Sequence, residues 1–103
     1  NHGGRVLDTC VSVVDALPAI RQVCPPDYPI LIDSGIRRGI DVLKAIALGA
    51  SAVLIGRPYI YGLSVAGALG VAHTLKLLRE ELEVSMGLSG CATLADVRNL
   101  SLV

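Results

Sequence analysis

The sequence predicts an α/β fold in which short parallel strands alternate with helices. Two segments, residues 29–38 and 52–58, each carry a run of apolar residues that leads into a glycine turn and then a helical pattern. Neither run alternates with polar residues, which is typical of strands buried on both faces of a parallel sheet. Strands joined through a helix form right-handed parallel units, so both turns are expected at the same edge of one sheet.

The first unit combines a strand predicted at residues 29–32 with a helix predicted at residues 39–48. Asp33 closes the apolar run, and a Ser-Gly turn and two arginines follow within residues 34–38. Apolar residues then recur at helical spacing, and Gly49 is a suitable residue to end the helix. Polar groups therefore gather where the strand stops, which is the edge at which parallel α/β proteins bind ligands.

The second unit repeats this order, with a strand predicted at residues 52–55 and a turn that begins at Gly56. The two turns are about one strand–helix repeat apart, so Gly35 and Gly56 are expected side by side on neighbouring strands. Glycine turns let backbone N–H groups approach an anion, and Arg37 and Arg57 add charge and guanidinium fork geometry. The predicted ligand is a phosphate group.

Segments before the first unit are predicted to be a loop and a helix. Residues 1–8 are glycine-rich and polar, which predicts a loop. A helix is predicted at residues 14–23, with Asp15 as the cap of its start and Pro18 in its first turn.

After the second unit, a loop or short helical turn is predicted at residues 58–62 and a long amphipathic helix from Val65. One stripe of this helix is apolar, and it is expected to pack on a larger body. Gly67 and Gly70 are expected to allow close packing against a neighbour. Two short helices complete the predicted elements, at residues 86–88 and at residues 94–97 with Thr93 as cap.

Composition argues against several classes of partner. The net charge of +0 and the scarcity of aromatic residues, three Tyr without Trp or Phe, predict no nucleic-acid partner. Cys10, Cys24 and Cys91 are odd in number and form no C-x-x-C pair, which predicts buried or half-buried thiols in a reducing, cytoplasmic compartment. His2 and His73 are far apart, without ligand spacing around them, so no metal site is predicted.

Two strands alone do not make a stable sheet, so the two units are expected to belong to a larger one. A TIM (β/α)8 barrel needs eight such units and about 250 residues, and its commonest phosphate site follows its last two strands. The chain has 103 residues and no initiator Met. We therefore predict that residues 1–103 are the C-terminal part of a single TIM-barrel domain, with the last two strands and their helices.

Three motifs carry a resemblance to a known family. They are Asn-His-Gly-Gly-Arg at residues 1–5, Asp-Ser-Gly-Ile-Arg-Arg-Gly at residues 33–39 and Ile-Gly-Arg-Pro-Tyr at residues 55–59. Together they resemble the FMN-dependent α-hydroxy-acid oxidases and dehydrogenases, such as glycolate oxidase, lactate oxidase and mandelate dehydrogenase. The last two motifs also resemble segments of inosine-monophosphate dehydrogenases and flavin-dependent isopentenyl-diphosphate isomerases, whereas the first is more discriminating.

The resemblance implies that the parent enzyme, meaning the whole protein that contains this chain, uses FMN to oxidise an L-2-hydroxy acid to a 2-keto acid. It implies His2 as the catalytic base, Arg5 as the partner of the substrate carboxylate and Asp33 as an acceptor for the ribityl chain of FMN. It also implies a homo-oligomeric parent enzyme, a tetramer. The remaining implied contacts of the cofactor are with Ser34, Gly35, Ile36, Arg37, Gly56 and Arg57.

Two alternatives remain at this point: a phosphate- or FMN-binding barrel fragment without catalysis, and another phosphate-binding barrel enzyme, either a nucleotide dehydrogenase or an isomerase. In the family that the chain resembles, a substrate-binding tyrosine, a lysine beside the flavin and a second arginine lie earlier in the barrel. The isolated chain is therefore not expected to turn over. Ser34 stands where many members have glycine, and this small residue is expected to be tolerated there.

Overall fold

The computed structural model describes residues 6–102. Helices and strands in this range are named here α1 to α4 and β1 to β2, in chain order. Their bounds are Val13–Val23 for α1, Leu31–Ile32 for β1, Gly39–Ala47 for α2, Ala52–Val53 for β2, Arg57–Leu88 for α3 and Leu94–Val97 for α4.

The two strands pair in parallel, with Leu31 opposite Ala52. The pairing continues past β2, where the Leu54 amide donates to the Ile32 carbonyl oxygen at 2.8 Å. Each strand is shorter than predicted, since β1 begins two residues later than expected and β2 ends two residues earlier. The predicted order of strand, helix and parallel strand is confirmed.

Two clusters of buried apolar side chains form the core, and α2 contributes to both. The first cluster, with Ala45 of α2, lies against the sheet side of the helix, and the second is built on Leu43 and Ile46. Burial of both faces holds α2 in place. The turn between β1 and α2 is therefore held in place where it joins the helix. The members of the first cluster are Leu17, Ile32, Ile36, Ala45 and Ala50, and those of the second are Leu43, Ile46, Cys91 and Val97.

Helix α1 begins after Ser12, so the prediction that Asp15 caps it was wrong. The Asp15 amide donates to Ser12 Oγ at 3.3 Å, and Ser12 Oγ donates to the Asp15 carboxylate at 2.6 Å. Asp15 instead lies in the first turn, where a carboxylate interacts favourably with the helix dipole. Pro18 lies inside the helix beyond that turn, not within it as predicted.

Helix α4 follows the prediction, with Thr93 as its cap. Thr93 Oγ1 accepts a hydrogen bond from the Asp96 amide at 3.3 Å, and the Thr93 amide donates to Asp96 Oδ2 at 2.7 Å. The Thr93 hydroxyl also donates to Asp96 Oδ2 at 2.9 Å, and this bond, followed by the one from the Thr93 amide, holds the pKa of Asp96 below its usual value.

Helix α3 is longer than predicted. It begins at Arg57, so residues 58–62, predicted as a loop or a short helical turn, are helical. It runs to Leu88, so the prediction of a separate helix at residues 86–88 was wrong. A kink divides it, because Ala66 and Gly67 have non-helical backbone angles, with φ of −146° and 57°. The segments before and after this kink are two helical arms.

The two arms of α3 cross at a pair of glycines, Gly62 and Gly70. A Cβ on Gly70 would overlap the carbonyl group of Gly62, and a Cβ on Gly62 would lie 2.5 Å from Thr74 Oγ1. The close packing predicted for Gly70 is therefore confirmed. Gly67 does not pack in this way, since a Cβ there would meet nothing within 4 Å, and its positive φ serves the kink instead.

Replacing Gly70 with alanine is expected to lower the free energy of unfolding of the parent enzyme by about 1–3 kcal/mol, because the methyl group forces the two arms apart. Chemical denaturation measures this change. Gly87→Ala is the matched control on the same helix, since its methyl group would meet nothing within 4 Å. The control is expected to raise stability by up to about 1 kcal/mol, and a similar loss in both variants would contradict the crossing.

By length and composition alone, α3 could cross a membrane, but a single helix of this kind is weak evidence of a span. The kink at Gly67 interrupts it. Within the predicted apolar stripe, Leu82 packs against the second core cluster, whereas Val65 and Leu69 are 86% and 79% exposed. An apolar face this open is typical of a surface that contacts another part of a protein.

The three cysteines are free thiols in different environments. Cys91 is buried and Cys24 is half-buried, as predicted, but Cys10 is exposed. The prediction was wrong for Cys10 because this residue precedes α1, in a segment that lies outside both core clusters.

Candidate functional site

A cavity of about 450 Å³ lies between the turn that follows β1 and the turn that follows β2. The parallel pairing of the strands brings these turns together, since both strands end at the same edge. Each site residue predicted within the described range lines this one cavity. The first turn contributes Asp33, Ser34, Gly35, Ile36 and Arg37, and the second contributes Leu54, Ile55, Gly56, Arg57 and Pro58.

Two glycines leave the floor of this cavity open. A Cβ added to Gly35 or to Gly56 would meet nothing within 4 Å, so a side chain at either position would occupy the space beside the turn. Neither amide donates a hydrogen bond to a group within residues 6–102. Both N–H donors therefore remain available to a ligand, and the open space next to them fits a phosphate group.

Two cationic side chains line the cavity, Arg37 from the first turn and Arg57 from the second. Both are exposed, and neither forms an ion pair within the described part of the chain. Arg38 differs, because its Nε lies 3.8 Å from Glu81 Oε2. Among the described residues, the cavity thus has two guanidinium groups without an ion-pair partner, and the fork geometry of that group suits phosphate oxygens.

The N-terminus of α2 is occupied by protein carboxylates. Asp41 Oδ2 accepts hydrogen bonds from the amides of Arg37 at 3.0 Å and Arg38 at 2.9 Å. Glu81 Oε2 accepts one from the Gly39 amide at 2.8 Å. An anion in the cavity is therefore left with the glycine turns and the arginine side chains, not with the first amides of this helix.

Sequence reasoning missed both of these carboxylates. Asp41 could have been found, since an acidic residue three positions after the cap residue of a helix, here Arg38, is a capping pattern. Glu81 gave no local signal, because it is 42 positions from its partner Gly39. Only the packing of α3 against α2 brings these two residues together.

Ser34 has a positive φ of 83°, a backbone region that glycine adopts more readily than serine. Gly35 follows with φ of 78°, so the turn has two successive left-handed residues. Ser34 Oγ donates a hydrogen bond to Asp33 Oδ1 at 2.9 Å, which offsets part of the cost. Serine is accommodated at this position, as predicted, but in a strained backbone conformation.

Replacing Ser34 with glycine is expected to raise the free energy of unfolding by about 1 kcal/mol, since the substitution relieves a left-handed conformation. Thermal unfolding of the parent enzyme measures the change. Gly35→Ala introduces the same strain at the neighbouring residue and is expected to move stability in the opposite direction. A loss of stability in Ser34→Gly would show that the side-chain hydrogen bond outweighs the strain.

The predicted catalytic and substrate residues, His2 and Arg5, lie outside the described residues. The segment that follows them lines a second cavity of about 700 Å³, through residues 8–14. This cavity adjoins the first, because Ser34 and Arg57 line both. The chain that leads away from the first motif therefore passes beside the same two turns.

Comparison with known sequences gives matches along the chain. The sequence profile of a family described as FMN-dependent dehydrogenase matches residues 1–103. A 2-hydroxyacid oxidase of Dictyostelium discoideum is 52% identical over 99 residues, which are 96% of this chain and 26% of that protein. An L-lactate oxidase of Alicycliphilus denitrificans is 54% identical over 97 residues, which are 94% of this chain and 27% of that protein.

Comparison with solved structures gives matches to flavin-containing and related oxidase structures over almost the whole chain. A mandelate oxidase variant with a monooxide FMN adduct superposes with a TM-score of 0.92 at 48% identity, over 98% of this chain and 32% of that one. A mandelate oxidase with benzoylformic acid also has a TM-score of 0.92 at 48% identity, over 98% of this chain and 30% of that one. The chain thus spans about a quarter to a third of the proteins that it matches.

Proposed function

This chain belongs to the FMN-dependent dehydrogenase family, and from that premise we propose that it is the phosphate-anchoring part of an FMN enzyme that oxidises 2-hydroxy acids. The observation that carries the proposal is the cavity between the two turns. It brings together two open glycine positions and two arginines that form no ion pair within residues 6–102. A terminal phosphate monoester suits this set of donors. The relatives named as 2-hydroxyacid and L-lactate oxidases support the reaction class.

Different residues of the cavity are assigned to different parts of the cofactor. We assign the phosphate to the amides of Gly35 and Gly56 and to the guanidinium groups of Arg37 and Arg57. Asp33 is the one carboxylate among the described residues of the lining, and we assign it to accept hydrogen bonds from ribityl hydroxyls. Bound FMN supplies the two-electron acceptor, which no amino-acid side chain offers.

The remaining roles fall to the opening motif. We propose that His2 takes the proton of the substrate, because an imidazole is a base near neutral pH. Arg5 is proposed to pair with the substrate carboxylate, which a guanidinium group can bind through two parallel hydrogen bonds. Support comes from the adjoining cavity, since residues 8–14 run beside the phosphate turns.

We further propose that the chain completes a TIM barrel in the parent enzyme. The relatives are about three to four times longer than the part they share with this chain, and the paired strands β1 and β2 need further strands to form a stable sheet. Exposed apolar residues of α3, such as Val65 and Leu69, are suited to contact the rest of that barrel. A cytoplasmic, homo-oligomeric enzyme stays part of this proposal.

The test is anaerobic flavin reduction in the parent enzyme. The purified protein is expected to show the absorption bands of oxidised flavin, and these bands are expected to bleach when L-lactate, glycolate or L-mandelate is added without oxygen. Bound flavin that none of these acids reduces would favour the binding fragment without catalysis. A protein that binds a phosphate-bearing nucleotide but no flavin would favour the other barrel enzymes.

A further inference from the structure

The two turns of the cavity lead into two different helices, α2 and α3. Their separation is therefore set partly by how these helices pack at a distance from the cavity. At the start of α2, a Cβ on Gly39 would overlap the main chain of Glu81 and Leu82, so the two helices approach without an intervening side chain. Gly39 is buried at this contact.

One side chain of α3, that of Glu81, bonds to the start of α2 at this contact. Glu81 Oε2 accepts a hydrogen bond from the Gly39 amide at 2.8 Å and lies 3.8 Å from Arg38 Nε. The bond joins residues 42 positions apart, whereas the bonds of Asp41 to Arg37 and Arg38 are local to the turn. Glu81 lies on the arm of α3 beyond the kink, and the crossing of Gly62 with Gly70 holds that arm against the arm that begins at Arg57. Glu81 thus links the first turn, through this crossing, to the helix that the second turn begins.

We propose that Glu81 is a positioning residue for the phosphate site, one that holds the turns bearing Arg37 and Arg57 at a fixed separation. The inference rests on the proposed function for the identity of the ligand. Without the Glu81 bond, the start of α2 gains freedom relative to α3. A phosphate that contacts both turns must then restrict that motion when it binds, which weakens its affinity.

This role has a signature that a general loss of stability lacks. Riboflavin has the ring and ribityl chain of FMN but no phosphate, so it does not depend on the separation of the two turns. Removal of the Glu81 carboxylate is therefore expected to weaken FMN binding and to leave riboflavin binding unchanged.

The experiment compares dissociation constants of FMN and riboflavin for the flavin-free parent enzyme, measured by quenching of flavin fluorescence. Glu81→Ala is expected to weaken FMN binding roughly ten-fold. Glu81→Gln keeps an oxygen that can accept from Gly39 and is expected to stay within about three-fold of the unsubstituted enzyme. Glu83→Ala is the matched control, because it removes a carboxylate of the same helix that is paired with Arg79 at 2.7 Å, outside the α2 contact.

Unchanged FMN affinity in Glu81→Ala, or equal losses for FMN and riboflavin, would overturn the positioning role. A parent enzyme that binds neither flavin contradicts the proposed function instead. In that case the same variants are compared by the protection that inorganic phosphate gives against thermal unfolding. A selective loss of protection in Glu81→Ala supports the positioning role, and equal protection in Glu81→Ala and Glu83→Ala overturns it.

Discussion

Replacing His2 with alanine is expected to slow flavin reduction by a 2-hydroxy acid about 10²–10⁴-fold, while FMN stays bound. The imidazole is the proposed acceptor of the substrate proton, since histidine is the one residue type of the first motif that acts as a base near neutral pH. The cavity residues that are assigned to the phosphate do not include His2, so cofactor retention is expected to be unaffected. Anaerobic stopped-flow measurement of the flavin absorbance gives the rate of reduction directly.

The chain offers a matched control for this substitution. His73 is an exposed histidine of α3 and lines neither of the two adjoining cavities. His73→Ala is expected to reduce flavin at the unsubstituted rate. Equal rates in His2→Ala and the unsubstituted enzyme would remove His2 from the chemistry and leave the opening motif without its assigned base.

Replacing Arg57 with alanine is expected to weaken FMN binding by roughly five-fold to a thousand-fold. The range reflects a charge pair about 4 Å apart, which contributes ~1 kcal/mol in bulk water and ~4 kcal/mol near a protein surface. Arg57 is exposed and has no ion-pair partner within residues 6–102, so its charge is not already neutralised there. Equilibrium dialysis of the flavin-free parent enzyme against FMN measures the loss.

Two further variants separate charge from geometry. Arg57→Lys keeps the charge without the fork and is expected to lose only part of the affinity. Arg79→Ala removes an arginine that is already paired with Glu83 on the surface of α3, and it is expected to bind FMN normally. If Arg57→Ala retains FMN as tightly as Arg79→Ala does, the phosphate lies elsewhere.

Local patterns in the sequence were sufficient to predict the two strand–turn–helix units. Apolar runs before Asp33 and Gly56 gave the strands, and the change to helical spacing after Gly39 gave α2. Strands joined through a helix pair in parallel, so the turns after both strands were expected at the same edge of the sheet. The site residues that line the cavity could therefore be predicted individually. Asp15 was misassigned as a cap because a serine three positions earlier competes for the same role.

Features that depend on contacts between distant residues could not be predicted. The kink at Gly67 lies inside the segment predicted as one long helix from Val65. The crossing brings Gly70 of that segment against Gly62, which was predicted in a loop or short helical turn. The bond between Glu81 and Gly39 joins elements that only tertiary packing brings together. His2 and Arg5 were identified by resemblance to a family motif, and their roles stay predictions.

The described residues that line the cavity form two short segments, 33–37 and 54–58, that are close together in the chain. A single piece of gene that spans residues 33–81 can therefore carry the proposed phosphate anchor, meaning the lining of the cavity together with Glu81. The groups proposed to meet the organic acid lie in a different stretch. If the proposed roles hold, selection can alter which acid is accepted without changing the residues assigned to the phosphate. Chimaeras in which residues 33–81 are exchanged together are expected to retain FMN.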